Sequence, residues 1–199
     1  LELDADQEWQ RLGPALVAIR QAHPQTLLSI DTFHPAVAER ALATGANWIN
    51  NVRGVADQAM VPVVSASGCP YVLMHSRGSS QAMDGLATYA NVTLEVRDAL
   101  LEATDQALGA GVAPGQVIWD PGLGFAKTTE QNLALLRGLK DLRTEGIPLL
   151  VGPSRKRFIG AVLDEPRAKA RLWGTAAVVA HCVSAGVDVV RVHDGGAIV

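Results

Sequence analysis

Polar side chains able to bind a small polar molecule follow each of six short apolar segments of this 199-residue chain. They are Asp31, Asn50, His75, Asp120, Ser154 and Arg191. A carboxylate such as Asp31 or Asp120 accepts paired N–H donors, and an amide such as Asn50 both donates and accepts. Together these groups are suited to the polar edge of a nitrogen-rich heterocycle.

Each of these residues also has a structural explanation, which the sequence alone leaves open. Asp120 at the end of a strand can cap the next helix, and Asp31 lies close to the helix that Pro35 begins. Asn50 taken alone is a turn former as often as a ligand. The functional interpretation therefore depends on how the strand ends are arranged relative to one another.

Cationic residues follow the last two of these apolar segments. Residues 152–157 read Gly-Pro-Ser-Arg-Lys-Arg, and the final segment ends in Arg191, Val192 and His193. Alternate residues of a strand face the same side, so Arg191 and His193 are expected to lie together. Arginine binds phosphate through two parallel hydrogen bonds, and this pair is therefore a candidate anion clamp. A solvated basic loop and a structural salt bridge are the alternatives for the two segments.

The elements that carry these side chains are short apolar strands alternating with longer helices. The strands are apolar on both faces, which is typical of a parallel sheet covered on both sides. The predicted strands are residues 27–30, 48–49, 71–74, 117–119, 149–151 and 187–190. The predicted helices are residues 7–21, 35–43, 56–65, 92–108, 129–142 and 167–184.

A doubly wound sheet and a (β/α) barrel both fit this alternation. A doubly wound sheet places its site at one switch point, whereas polar residues after all six strands converge only if the strand ends form a ring. We therefore predict an α/β fold, a TIM (β/α)8 barrel that is incomplete in this chain, with six parallel strands and six helices in one domain over residues 1–199. A full barrel has eight strands and about 250 residues. Two N-terminal strand–helix units and the last helix are expected to be missing.

Composition and motifs exclude several other functional classes. A net charge of −3 argues against a nucleic-acid partner, and no apolar run reaches the length of a membrane span. The chain has no Walker A motif, and its five histidines lack metal-ligand spacing. Two cysteines are too few for a disulfide framework and indicate a reducing compartment, which predicts a cytoplasmic protein.

The strand-end motifs, taken in order, resemble the dihydropteroate synthase family of pterin-binding enzymes. They are Ser29-Ile30-Asp31-Thr32, Trp48-Ile49-Asn50-Asn51, Met74-His75-Ser76-Arg77-Gly78, Asp120-Pro121-Gly122-Leu123-Gly124-Phe125, Ser154-Arg155-Lys156 and Arg191-Val192-His193-Asp194. Each motif is weak alone, but six in the same order over essentially the whole chain are specific. The fold of that family, a (β/α) barrel, agrees with the prediction made from the strand ends.

The resemblance implies that p-aminobenzoate displaces pyrophosphate from 6-hydroxymethyl-7,8-dihydropterin pyrophosphate. By position, it assigns pterin binding to Asp31, Asn50, Met74, Asp120, Phe125, Gly152 and Lys156. It assigns the departing pyrophosphate to Arg191 and His193, and p-aminobenzoate to Ser154. No residue is expected to act as an acid or base, because fixed charges that favour the separated ions lower the barrier.

Further expectations follow from the resemblance. It implies sulfonamides as competitors and Mg²⁺ as cofactor, with the metal ligand expected in a segment that precedes residue 1. A homodimer is expected from the apolar second half of the predicted helix over 167–184, which offers a dimer surface. Asn51 stands where the family usually has aspartate. We expect the 199 residues alone to be inactive and a longer parent chain to be active.

Two alternative functions are a pterin-dependent methyltransferase domain and a catalytically silent pterin-binding protein. The methyltransferase does not need Lys156 together with the Arg191 and His193 pair, so these cations favour the synthase.

Overall fold

Parallel strands in sequence order form the centre of the protein. The structure, a computed structural model, describes residues 3–78 and 82–198. The strands are β1 (Ser29–Asp31), β2 (Trp48–Asn51), β3 (Tyr71–Met74), β4 (Val117–Asp120), β5 (Leu150–Val151) and β6 (Val189–Val190). β1 to β4 form one parallel sheet, β5 pairs with β6, and a bridge between Trp119 and Leu149 joins the two sets. The strands follow one another in sequence order without a reversal, as in a barrel, whereas a doubly wound sheet reverses its strand order at a switch point.

Helices precede the first strand, connect the successive strands and follow the last one. They are α1 (Ala5–Ala22), α2 (Pro35–Ala43), α3 (Val61–Ser67), α4 (Val92–Gly109), α5 (Thr129–Arg137), α6 (Leu139–Arg143), α7 (Arg157–Leu163), α8 (Leu172–Ser184) and α9 (Gly195–Ile198). Short 3₁₀ turns lie at Met83–Leu86, Pro114–Gln116 and Ala168–Arg171. Among the described residues, no helix is both long enough and apolar enough to cross a membrane.

The helices differ from the prediction where proline and glycine act locally. The helix expected over 56–65 begins at Val61, because Pro62 occupies its first turn rather than its interior. The helix expected over 129–142 divides at Gly138, where a Cβ atom would press against Thr93 of α4.

Further differences raise the number of helices above six. The helix expected over 167–184 begins with a 3₁₀ turn, and α8 starts only at Leu172. The seven-residue α7 was not predicted, since so short a segment shows little periodicity. A single helical turn, α9, follows β6, so the expectation that no helix follows the last strand is wrong. The prediction of six helices is likewise wrong, as the described residues form nine α-helices.

The two faces of the sheet pack against different partners. Val72, Ile118 and Leu150 form a small cluster on one face, with Trp48 and Val189 against it. Successive residues of a strand face opposite sides, so this inner face also carries Asn50 and Met74 at the carboxyl ends of their strands. The outer face belongs to the main core, which includes helix residues and buries the Trp119 and Tyr71 side chains completely.

The predicted α/β architecture with parallel strands is confirmed, but the described residues do not close the sheet. No strand pairing joins β1 to β6 within residues 3–78 and 82–198. The ends of these two strands are instead connected by an ion pair between Asp31 and Arg191, whose oxygen and nitrogen atoms lie 2.7 Å apart. The polar residues at the carboxyl ends of β1 and β6 therefore still meet across the opening.

Candidate active site

Asp120 lies at the centre of the polar strand ends. Its side chain is 2% exposed, and its Oδ1 accepts a 2.8 Å hydrogen bond from the backbone N–H of Gly122. Burial raises the pKa of this carboxyl, while the Gly122 N–H and the charges of Arg191, Lys156 and Lys127 act in the opposite direction. Any ligand that donates N–H groups to Asp120 would further favour its charged form.

Asn50 presents a buried amide that the protein leaves unused. Its side chain is 3% exposed, and neither its oxygen nor its nitrogen has a hydrogen-bond partner among the described residues. Its Cα is in register with Asp31 on β1 and Val72 on β3. Buried polar groups without partners are costly and rare, so this amide is best explained by a ligand that pairs with it.

Lys156 and Phe125 pack against each other beside Asp120. The Lys156 Nζ lies 4.1 Å from the centre of the Phe125 ring, a cation–π contact. Burial is the main cause that lowers the pKa of Lys156 to about 8, and Asp120 partly offsets it. Gly124 has a φ of +78°, and a Cβ atom there would meet the Lys156 side chain. The glycine therefore allows the lysine to reach across the loop that follows β4.

A cavity of about 360 Å³ lies at the ends of β5 and β6. Its lining residues are Gly152, Ser154, Lys156, Arg191, Val192 and His193. Gly152 is buried, and a Cβ atom there would lie 3.5 Å from the Arg191 guanidinium, so the arginine packs against bare backbone. Ser154 Oγ lies 2.9 Å from His193 Nδ1 and also accepts the His193 backbone N–H at 3.1 Å. Two cationic side chains with further N–H and O–H donors form a site suited to a diphosphate.

Another cation of residues 152–157, Arg155, is engaged with a partner outside the cavity. Arg155 adopts a left-handed backbone conformation, with a φ of +59°, and pairs with Asp194 through two hydrogen bonds of 3.0 and 2.6 Å. Arg171 is buried and donates to the carbonyl oxygens of Arg155, Glu165 and Pro166. These two arginines hold the segment that carries Lys156, and no sequence pattern indicates the role of Arg171.

Lys127 and His75 form a buried pair. Sequence reasoning placed His75 among the strand-end candidates but missed Lys127. Lys127 Nζ lies 3.0 Å from His75 Nδ1 and donates to the carbonyl oxygens of Gly122 and Phe125, each at 3.0 Å. Burial is the first cause that lowers the pKa of Lys127 to about 7 and of His75 to about 2. A lysine in a glycine-rich loop is usually solvated, so only the fold reveals this pair.

Asp31 and Met74 complete the predicted set. Asp31 is exposed and engages Arg191, whereas Met74 is fully buried at the end of β3, in register with Asp120. The structure thus places Asn50, Met74, Asp120 and the Lys156–Phe125 pair around the inner strand ends, with the anion cavity beside them.

The described residues do not form a ligand set for Mg²⁺. The described residues contain no group of three or more histidine, cysteine, aspartate or glutamate side chains that could hold a metal ion. The cavity at β5 and β6 is lined by cationic and hydroxyl groups, whereas Mg²⁺ prefers carboxylate oxygens. The described residues therefore do not fit this ion by themselves.

Comparison with known proteins identifies the family. A family model described as "pterin binding enzyme" matches residues 1–193. The chain belongs to the pterin-binding enzyme family. Within it, the dihydropteroate synthase of Synechocystis is 44% identical over 189 residues, which are 94% of this chain and 65% of that protein. The chain spans between 26% and 65% of the length of the first curated relatives that it matches.

Solved structures of pterin-binding enzymes share the fold. The dihydropteroate synthase of Thermus thermophilus in complex with 4-aminobenzoate is 39% identical and superposes with a TM-score of 0.93, covering 100% of this chain and 75% of that one. The dihydropteroate synthase of Xanthomonas albilineans in complex with 7,8-dihydropteroate is 32% identical, with a TM-score of 0.91, covering 98% of this chain and 71% of that one. The resemblance stated from the motifs is confirmed.

Proposed function

We propose that this chain supplies the pterin-binding and diphosphate-binding part of a dihydropteroate synthase. The reaction joins 6-hydroxymethyl-7,8-dihydropterin pyrophosphate and p-aminobenzoate to give 7,8-dihydropteroate and pyrophosphate, a transferase reaction of folate biosynthesis. The observation that carries the proposal is Asn50, a buried amide with no partner among the described residues, on the inner strand ends that also present Asp120.

Asp120 and Asn50 supply complementary groups for the polar edge of a pterin. That edge has adjacent N–H donors and a carbonyl acceptor, and a carboxylate accepts such donors with charge-assisted strength. The Asn50 amide pairs with one further donor and one acceptor. Lys156 donates toward the carbonyl side, and Phe125 and Met74 supply apolar contact to the ring.

Arg191 and His193 hold the diphosphate in the cavity that Lys156 also lines. The C–O bond to the diphosphate breaks and its electron pair leaves with the diphosphate oxygen, so that a methylene cation conjugated to the pterin remains. The amine nitrogen of p-aminobenzoate then bonds to that carbon, and its proton leaves to water. Cations fixed beside the leaving diphosphate favour the separated charges, so electrostatic stabilisation supplies the rate enhancement.

A second cavity of about 330 Å³ gives room for the second substrate. Gly124 and Arg157 are among its lining residues, and a Cβ atom at Gly124 would lie 3.0 Å from the side chain of Lys156, which lines the diphosphate cavity. The two cavities are therefore neighbours, as a reaction between two bound molecules requires. Ser154 as the p-aminobenzoate residue stays a prediction, because its hydroxyl is engaged with His193.

The alternatives differ in what happens to the diphosphate. A methyltransferase releases no diphosphate, so it does not require the cationic cavity that Lys156 and Arg191 line together with Ser154 and His193. A silent pterin-binding protein would bind the pterin pyrophosphate but release nothing from it. Calorimetry with the 199-residue chain and 6-hydroxymethyl-7,8-dihydropterin pyrophosphate tests binding, and we expect Asp120→Ala and Lys156→Ala to weaken it at least about tenfold.

A chimera tests the chemistry, because the isolated chain is predicted to be inactive while its sheet stays open between β1 and β6. This chain would replace the 189 matching residues of the Synechocystis synthase. We expect pyrophosphate release that depends on p-aminobenzoate, abolished by Lys156→Ala and retained in Lys140→Ala on the exposed side of α6. Pterin binding without any such release would support the silent protein instead.

Several finer expectations stay predictions. They are a single domain over residues 1–199, a homodimer, Mg²⁺ as cofactor, competition by sulfonamides and a cytoplasmic location. Each concerns the working enzyme, and the binding and release measurements above extend directly to Mg²⁺ and to sulfonamides.

A further inference from the structure

The loop after β4 determines how Asp120 and Phe125 are presented. Gly122 and Ala126 have φ values of +68° and +47°, so the loop adopts conformations that most side chains avoid. A Cβ atom at Gly122 would overlap the carbonyl oxygen of His75, which shows how closely the loop lies against the end of β3. Such a loop needs fixed contacts to keep one conformation.

Lys127 supplies those contacts from within the protein. Its side chain is 8% exposed, and its Nζ has three partners at 3.0 Å: His75 Nδ1 and the carbonyl oxygens of Gly122 and Phe125. An ammonium group has three N–H donors and no acceptor, so the three partners match it completely. His75 also donates its backbone N–H to the Asp120 carbonyl oxygen at 2.9 Å. The contacts therefore join β3, β4 and the loop into one unit.

Both ends of this unit touch pterin-site residues. The Gly122 N–H donates to the Asp120 carboxylate, and the Phe125 ring supports the Lys156 ammonium. Lys127 bonds to the carbonyl oxygens of the same two loop residues. Loss of Lys127 would remove the hydrogen bonds to both residues at once.

We propose that Lys127, paired with His75, is a positioning residue that fixes Gly122 and Phe125 so that Asp120 and Lys156 are preorganised for the pterin. The proposal rests on the function proposed above. It assigns a role to Lys127, which no motif argument singled out, and it gives His75, one of the strand-end candidates, a defined partner. His75 stays neutral at neutral pH, because burial lowers its pKa to about 2, and its Nδ1 can therefore accept the hydrogen bond from the Lys127 amine.

The test compares Lys127→Met with the same change at the exposed Lys140 of α6. For Lys127→Met we expect a dissociation constant for 6-hydroxymethyl-7,8-dihydropterin pyrophosphate at least about tenfold higher, measured on folded protein. We also expect faster hydrogen exchange at the Gly122 amide without ligand. Lys140→Met should alter neither. A Lys127→Met protein that is less stable but binds the pterin with unchanged affinity would show a purely structural role and overturn the proposal.

His75 provides a second pair of variants with a built-in rescue. His75→Leu removes the acceptor and should weaken pterin binding as Lys127→Met does. His75→Asn offers Oδ1 in place of Nδ1 and should restore most of the lost affinity. Equal loss in both variants would contradict the role given to the Lys127–His75 contact.

Nitrogen-15 NMR of the unmodified chain keeps the proposal testable even if these variants fail to fold. We expect slowly exchanging Lys127 Nζ protons with a coupling across the hydrogen bond to His75 Nδ1. Exchange at the rate of a solvated lysine would overturn the proposal. Absence of pterin binding by the wild-type chain would refute the proposed function, and the Gly122 exchange and Lys127 signals would still decide whether the loop is held in this way.

Discussion

Between pH 7 and pH 4, His75 is expected to reduce the free energy of unfolding by about 3 kcal/mol. The imidazole is 1% exposed and faces the cationic Lys127 and Arg77, and burial with these charges lowers its pKa from 6.5 to about 2. The folded protein therefore keeps His75 neutral over this whole interval. The unfolded chain takes up the proton below pH 6.5, so acid favours unfolding.

The magnitude follows from proton linkage. Where only the unfolded state binds the proton, the unfolding free energy falls by about 1.4 kcal/mol per pH unit. From 6.5 to 4 is 2.5 units, which gives about 3 kcal/mol and does not depend on how far below 4 the folded pKa lies. The loss begins near pH 6.5 and would continue to about pH 2, where the folded protein also becomes protonated.

Urea denaturation at pH 7, 6, 5 and 4 measures this slope in the wild type and in His75→Asn. The variant keeps an acceptor for Lys127 but cannot titrate, so its stability should fall less steeply by about 1.4 kcal/mol per unit between pH 6 and 4. His23→Asn, an exposed position after α1, serves as the control and should follow the wild type. Parallel slopes for the wild type and His75→Asn would refute the buried neutral histidine.

Two further predictions concern buried asparagines and one glycine. Asn50→Leu should raise the free energy of unfolding by about 1 kcal/mol and abolish pterin binding, because it removes an amide that has no partner among the described residues. Asn132→Leu should instead lower the free energy of unfolding by about 2 kcal/mol, because both the oxygen and the nitrogen of the Asn132 amide are hydrogen-bonded. Denaturation and calorimetry compare the pair, and a stability loss in Asn50→Leu equal to that in Asn132→Leu would contradict the unpaired amide. Gly122→Ala should cost more than about 2 kcal/mol from backbone strain and overlap with the His75 carbonyl, whereas Gly115→Ala, in open space, should be nearly neutral; similar melting curves would disprove this contrast.

The strands and their polar ends were predictable because their physical signals are local. Buried parallel strands are apolar on both faces, and the residue after each strand lies at the site face whatever the helices do. α2 was predicted with both correct ends, Pro35 and Ala43, since proline marks its first turn and Gly45 follows it.

The remaining features depend on contacts distant in sequence. Lys127 and His75 are 52 residues apart in the sequence, and Arg191 and Asp31 are 160 residues apart, so no local pattern predicts either contact. The division of the helix at Gly138 depends on the neighbouring α4. The two glycines after Asp120, Gly122 and Gly124, are the sequence feature that indicates a tight loop, and both have positive φ values in the structure. A lysine that follows such a loop is a candidate for hydrogen bonding to the carbonyl oxygens of the loop.

A crystal structure of the chain with 6-hydroxymethyl-7,8-dihydropterin pyrophosphate tests the central claim most directly. The pterin edge should lie within hydrogen-bond distance of the Asn50 amide and the Asp120 carboxylate, with the diphosphate between Arg191 and His193. A pterin bound elsewhere, with the Asn50 side chain still unpaired, would contradict the assignment of this site.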